Sequence, residues 1–295
     1  NNEENDIERQ ELARRVGKNG DRILMEYFDD IGLANKTNNE INDLINRLRI
    51  CGVDIKKVFS EYGRDSTLKT RVDRNQAIAI VFRFFRELGI DVSKLLEEGK
   101  YNNEREQAVY LSFNKGVKRN ETTSPTFAGE DVHAYAKETG TLTDVYSLVH
   151  EISHTLYVQN QFGEARMILG EVIPQCMERM LDGYLIELAG RKGFDVDIDA
   201  LKENIIKRRI STAIDRFRMA SRIAKGEYKF ASKKAEFSRY MLAQIYATKL
   251  MGMDKSIQKQ RIFDFIEALK SNDIKKANDA FDMQIGKEHS KERAR

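Results

Sequence analysis

Between residues 72 and 88, VDRNQAIAIVFRFFREL, apolar side chains recur at helical spacing, and the pattern predicts an amphipathic helix. Ile78, Ile80, Val81, Phe82, Phe84 and Phe85 make it apolar on several sides, which places it centrally in a core. GDRILMEYFDDIG at 20–32 and NNEINDLINRLRI at 38–50 read as helices by the same pattern, punctuated by Gly52, Gly63, Gly89 and Gly99. After residue 100 the period changes. QAVYLSF at 107–113 is rich in strand formers, NKGVKRNETTSP has the composition of a loop, and Val132, Ala134 and Ala136 alternate with His133, Tyr135 and Lys137 within 126–137. These segments predict a small antiparallel sheet. The helical period returns at 143–160 and at 163–190, then at about 198–225, 233–251, 255–270 and 272–284. Pro174 either opens a second helix within 163–190 or kinks a long one. The fold class expected is mainly α with a minor sheet: an N-terminal helical region over 1–100, then a region over 101–295 built from the sheet and a multi-helix bundle.

Composition narrows the classes without choosing one. The 295 residues suffice for one large domain or two small ones, and only two prolines occur, which suits long helices. Fifty basic residues against 47 acidic ones leave a net charge of +3, so the balance argues for neither nucleic acid nor an anionic membrane as partner. The basic tail KEHSKERAR reads as a solvated end. Two cysteines, Cys51 and Cys176, are too few for a disulfide framework, and Cys176 among Ile173, Met177 and Met180 reads as a buried apolar residue. With no run of transmembrane length and no signal-peptide pattern, the expected setting is reducing and cytoplasmic. The chain starts at Asn1 rather than at a methionine, as a processed form or a fragment would.

The chemistry is concentrated in TDVYSLVHEISHTLYVQN, 143–160, which carries His150-Glu151-Ile152-Ser153-His154. At ~3.6 residues per turn, positions four apart lie about 40° apart on one helical face, so His150 and His154 can hold one metal ion from the same side. Val145, Leu148, Ile152 and Leu156 form the opposite, core-facing stripe, and Thr143 or Asp144 can cap the helix. Glu151 stands beside the histidines, where it can handle the proton of a water. A chance HExxH is expected in roughly one chain of this composition in two hundred, before helical context is required. Hydrolytic zinc takes three protein ligands and keeps one position open. The downstream acids are Glu164, Glu171, Glu178 and Asp182. Glu171, Gln175, Glu178 and Asp182 share a stripe that would otherwise be a solvated acidic face. Glu171, 21 residues after His150, is the expected third ligand, with Glu178 supporting a histidine from behind. His133 is the alternative histidine, although a strand histidine facing solvent or substrate is the plainer expectation.

The order DVYSLVHEISH then GEVIPQCMER resembles the thimet oligopeptidase and oligopeptidase F family of zinc peptidases. That family has an HExGH helix followed by Glu-x-Pro-Ser-Gln-x-x-Glu, whose first glutamate binds zinc. Anchored on Gln175, Glu171 and Glu178 fall on the two glutamates. FSRYMLAQIYATKLM at 237–251 is similar to the family's tyrosine-bearing helix, with Tyr240 on a family tyrosine, and the resemblance spans roughly 125–287. It departs where IPQ replaces PSQ, where Ser153 replaces the glycine of HExGH, and where KGEYKFASKKAEF lacks the family's histidine. The chain is also about half the family's usual length. The resemblance implies a zincin-like fold of gluzincin type. It implies one zinc on His150, His154 and Glu171, with Glu151 as general base and Tyr240 (or failing it Tyr228) as oxyanion donor, and a short peptide as substrate. The strand within 126–137 would align that peptide by β-addition. Two rival expectations stand beside it: a module of the same fold in which zinc only stabilises the protein or helps bind peptides, without catalysis, and a zinc hydrolase of a non-peptide amide, whose metal chemistry would be the same.

Overall fold

A computed structural model of the chain describes residues 70–104, 106–123, 130–157, 163–191, 197–202, 204, 205, 208, 209, 212 and 231–283. The helices expected at 20–32 and 38–50, and Cys51, Pro125 and Tyr228, lie outside the described residues. What is described is mainly helical with one small sheet.

The helix expected at 72–88 is α1 (Arg74–Glu87). Asp73 accepts from the Gln76 N–H at 2.9 Å while the Gln76 side chain accepts from the Asp73 N–H at 3.0 Å, a reciprocal cap that starts the helix sharply. Ala77, Ile80, Val81, Phe84 and Phe85 are buried, and α1 packs against the helix that carries the HExxH motif. A short α2 (Ser93–Glu98) ends at Gly99, whose φ of 70° turns the chain into the sheet.

The sheet holds β1 (Lys100–Asn102), β2 (Ala108–Asn114), β3 (Glu121–Thr122) and β4 (Val132–Lys137) in the order β1-β2-β4-β3. It is mixed rather than antiparallel as expected. β2 and β4 run parallel along their length, from Val109 opposite Val132 to Asn114 opposite Lys137, while β1 on β2 and β3 on β4 are antiparallel. The segment between β2 and β4 is long enough for the crossover a parallel pair requires, and β3 is laid down within it on the far edge of β4. β4 is therefore paired on both sides, so the expected addition of a peptide strand to it is corrected: among the described strands the edge on that side is β3. The alternation predicted in β4 holds, with Val132, Ala134 and Ala136 buried and His133 and Tyr135 half-buried on the other face.

α3 (Thr143–Thr155) lies against β4 and carries the motif. Val145, Leu148 and Ile152 are fully buried, and Leu156 just beyond the helix is half-buried. The expected side-chain cap is absent. The N-cap position is Leu142, and the buried Asp144 carboxylate instead accepts from the Thr139 and Gly140 N–H groups, both at 2.9 Å, and from the Thr139 hydroxyl. Its work is to fasten the β4–α3 turn, which four-residue spacing permits as well as capping does.

α4 (Glu164–Leu169) and α5 (Val172–Ala189) follow, with Pro174 in the first turn of α5. α5 packs between α3 and α6 (Ala231–Met251). Cys176 is fully buried on α5, as its neighbours implied. α7 (Lys255–Lys270) and α8 (Ile274–Ala280) are capped by Asp254 and Asp273, whose carboxylates accept from Ser256 N–H at 2.8 Å and Lys276 N–H at 2.9 Å. Tyr246, Phe265 and Phe281 pack ring against ring between α6, α7 and the end of α8. No described helix is long and apolar enough to cross a membrane.

Candidate metal centre

His150 and His154 project from one face of α3, as i,i+4 spacing demands, and their Nε2 atoms lie 3.2 Å apart. Glu171 meets them from the junction of α4 and α5, one residue before α5 begins. Its Oε2 is 3.4 Å from His150 Nε2 and its Oε1 3.7 Å from His154 Nε2. Donors at ~2.0–2.1 Å from a tetrahedral zinc stand about 3.3–3.4 Å from one another. The three observed separations bracket that edge length. Two imidazoles and one carboxylate are also a donor set suited to zinc rather than to magnesium or calcium, which favour oxygen alone. The residues present therefore fit the ion.

The junction is tight for a structural reason. A Cβ on Gly170 would stand 2.6 Å from the Arg166 carbonyl oxygen, so glycine is required there by close approach although its φ is −62°. That turn presents Glu171 to α3.

Each imidazole is held from behind, and the partners set both tautomers. His150 Nδ1 is 2.7 Å from Glu178 Oε1. Burial alone would raise the Glu178 pKa, but the Arg208 guanidinium 2.8 Å from Oε2 and the bond to His150 outweigh it and hold it at about 2. Glu178 is thus an ionised acceptor, and His150 Nδ1 carries the hydrogen. His154 Nδ1 is 2.8 Å from the Tyr157 hydroxyl, which in turn donates to the Gly170 carbonyl oxygen. A carbonyl only accepts, so the single hydroxyl hydrogen is committed and His154 Nδ1 must donate. With both imidazoles neutral, both Nε2 lone pairs therefore face the metal position.

The electrostatics divide the two histidines. His150 is disfavoured as a cation by burial, yet its bonds to Glu171 and Glu178 carry its pKa well above the ordinary range. His154 is pushed down to about 4, by burial first, with the Glu171 charge opposing. A metal ion at this position would compete with the proton that His150 favours, since the ligand must be neutral to bind.

Glu151, 4% exposed, lies beside the histidines and is pushed up chiefly by burial, with His150 and the Thr122 hydroxyl opposing. The Thr122 hydroxyl donates to its Oε2 at 2.7 Å, so edge strand β3 touches the site. His150, Glu151, His154, Glu171, Thr122 and Tyr240 line one cavity of about 260 Å³. Ser153, standing where the resembling family has glycine, is fully buried and donates to the Val149 carbonyl at 2.5 Å, which removes the penalty of its hydroxyl.

The structure brings His150, His154 and Glu171 together and sets Glu151 beside them. Glu178 stands behind His150 as expected. Tyr240, half-buried on α6, reaches the same cavity wall. Asp182 is engaged elsewhere, by the Tyr146 hydroxyl and Arg209. Glu171, Glu178 and Asp182 face α3, so their stripe is not the solvated face that was the alternative. His133 stacks between Tyr110 and Tyr135 on the sheet and is not part of the metal group. Sequence reasoning missed Tyr157, Thr122 and Arg208. Tyr157 had a signal, since i,i+3 spacing after His154 puts it within reach. The other two come from distant segments and had none.

A scan against protein-family models finds no match, and searches of curated proteins and of solved structures return no similar protein. The family resemblance rests on the residues quoted for it.

Proposed function

We propose that this protein is a zinc-dependent metallopeptidase of gluzincin type and zincin-like fold that hydrolyses short peptides. The observation that carries the reading is the spacing of His150 Nε2, His154 Nε2 and Glu171, with a buried carboxylate, Glu151, in the same cavity. The resemblance of 125–287 to the thimet oligopeptidase and oligopeptidase F family supports peptides as the substrate class.

His150, His154 and Glu171 would hold the ion. Zinc, when bound, supplies Lewis acidity, making hydroxide available near neutral pH and drawing charge from a carbonyl oxygen. Glu151 takes one proton of the attacking water. Its Oε2 is held by Thr122, so Oε1 is the oxygen that receives it. As the water oxygen bonds to the carbonyl carbon and the C–N bond breaks, Glu151 returns that proton to the departing amine nitrogen. The Tyr240 hydroxyl donates to the carbonyl oxygen as negative charge develops there. Thr122 fixes the Glu151 rotamer, and Glu178 and Tyr157 hold the imidazoles in the tautomer the ion needs.

The test is to strip the protein of metal, reload one equivalent of zinc, and incubate it with a mixed peptide library read by mass spectrometry. Zinc-dependent cleavage is expected. Zinc retained at one per chain with no cleavage would overturn the peptidase and leave the non-catalytic module or a hydrolase of non-peptide amides, and failure to bind zinc would end all of these readings.

A further inference from the structure

Beside the metal cavity lies a second one of about 280 Å³, lined from α5, from α6 and from residues 208–212. Tyr240 and Gln244 both line it, and four residues apart they share one face of α6. Gln244 is 8% exposed, and its buried Oε1 has no hydrogen-bond partner. Guanidinium groups stand in the same wall, yet none donates to that oxygen; Arg208 is bonded to Glu178 and Arg209 to Asp182. A buried amide oxygen in that state destabilises the fold, because the bond it makes to water in the unfolded chain is not replaced. Leucine, of similar volume, would fill the position without that cost. The amide is therefore explained by a donor from outside the chain. A peptide group is its complement, since each offers an N–H and a carbonyl oxygen side by side.

His150 and Tyr240 line this cavity and the metal cavity alike, so the two adjoin at the metal position. The rise of a helix separates Tyr240 from Gln244 by about 6 Å along α6. Two residues of an extended chain cover about 6.6 Å. A peptide whose scissile carbonyl meets the Tyr240 hydroxyl, and which follows α6, thus brings its second peptide group to Gln244. The match is between neutral groups and asks for no net charge in the wall.

We infer that Gln244 is a substrate-binding residue whose Oε1 accepts from a backbone N–H of the substrate, at the second peptide group from the bond being cut. A contact to backbone reads the chain rather than its side chains, which suits peptides of varied sequence. The inference rests on the metallopeptidase reading for its register, and its test measures binding without turnover.

The probe is a blocked hexaalanine with a phosphinate in place of its central peptide bond, which anchors on zinc and fixes the register. Two analogues each replace one backbone N–H by an ester oxygen, at the second peptide group on either side of the phosphinate. In calorimetry with the zinc-loaded protein, one ester is expected to bind about tenfold more weakly than the parent, and in Gln244→Leu that ratio should fall to about twofold or less. The ligand-free variant should unfold at the wild-type temperature or above it. A lower unfolding temperature would make the amide a structural group and overturn its assignment to substrate. The ester ratio in wild-type protein decides the matter even if the variant does not fold. Esters that bind like the parent, a penalty that persists in Gln244→Leu, or no binding of the phosphinate overturns the subsite. Tighter binding when one alanine becomes asparagine or glutamine, with both esters neutral, gives Gln244 to a side chain and overturns the backbone contact. Ester-sensitive binding with no cleavage of any peptide would sink the peptidase and leave the subsite; cleavage with neutral esters would do the reverse.

Discussion

Tyr157→Phe removes one oxygen atom and tests how the metal centre is held. The hydroxyl accepts from His154 Nδ1–H at 2.8 Å and donates to the Gly170 carbonyl, which begins the turn that presents Glu171. Tyr157 is 2% exposed, so water does not readily replace either bond. Two net hydrogen bonds at ~0.5–1.5 kcal/mol each put the loss of metal-free stability at about 1–3 kcal/mol. The effect on zinc is separate. Without its acceptor, His154 is free to move its hydrogen to Nε2, the atom that must bind metal, and to rotate. Loss of such a supporting partner weakens metal binding by ~10–100-fold, or about 1.4–2.7 kcal/mol. The assay is competition for zinc against a chromogenic chelator at neutral pH, with chemical denaturation of the metal-free proteins alongside. A variant that loses stability while binding zinc within threefold of wild type would show that Tyr157 only packs, and would refute the tautomer argument.

Glu151→Gln should keep one zinc per chain by elemental analysis and lose hydrolysis; loss of zinc on the scale of His150→Ala would make Glu151 a ligand instead. Glu171→Ala should lower zinc affinity more than Glu178→Ala, which is expected to cost ~10–100-fold; the reverse order in the chelator assay would move the third ligand to Glu178. Tyr240→Phe should lower kcat by ~10²–10³ with zinc content and KM little changed, and an unchanged kcat would retire it as oxyanion donor. The Asp254 and Asp273 carboxyls are held below the usual range, Asp254 first by the Ser256 N–H and Asp273 first by the Lys276 N–H. A lowered folded pKa means their stabilisation is complete above the unfolded value of ~3.9 and fades as pH falls through the folded one. Hydrogen exchange at the starts of α7 and α8 should accelerate below that pH, and Asp→Asn variants should flatten the dependence; exchange there that ignores pH would discount both caps.

What could be read from the chain alone was whatever depends on local geometry. His150 and His154 share a face because four residues make nearly one helical turn, whatever surrounds the helix. Val132, Ala134 and Ala136 point inward because a strand has period two. Cys176 was legible as core from its apolar neighbours. Glu171 was within reach because a short connection returns the chain to the motif. The remaining decisions needed distant segments in contact. Whether β2 pairs with β4 parallel or antiparallel depends on the path of residues 115–131, and nothing in the alternation of either strand records that path. Asp144 has two compatible uses, helix cap or turn clasp, and only the positions of Thr139 and Gly140 choose between them. The tautomers of the two histidines are set by Glu178 and by a tyrosine whose own hydrogen is committed to Gly170, and hydrogen-bond direction follows from that whole chain of partners. Arg208 and Arg209 likewise reach Glu178 and Asp182 on α5 from a stretch further along the chain. Charge spacing along one helix carries no information about such an encounter, because burial and pairing are properties of the folded neighbourhood.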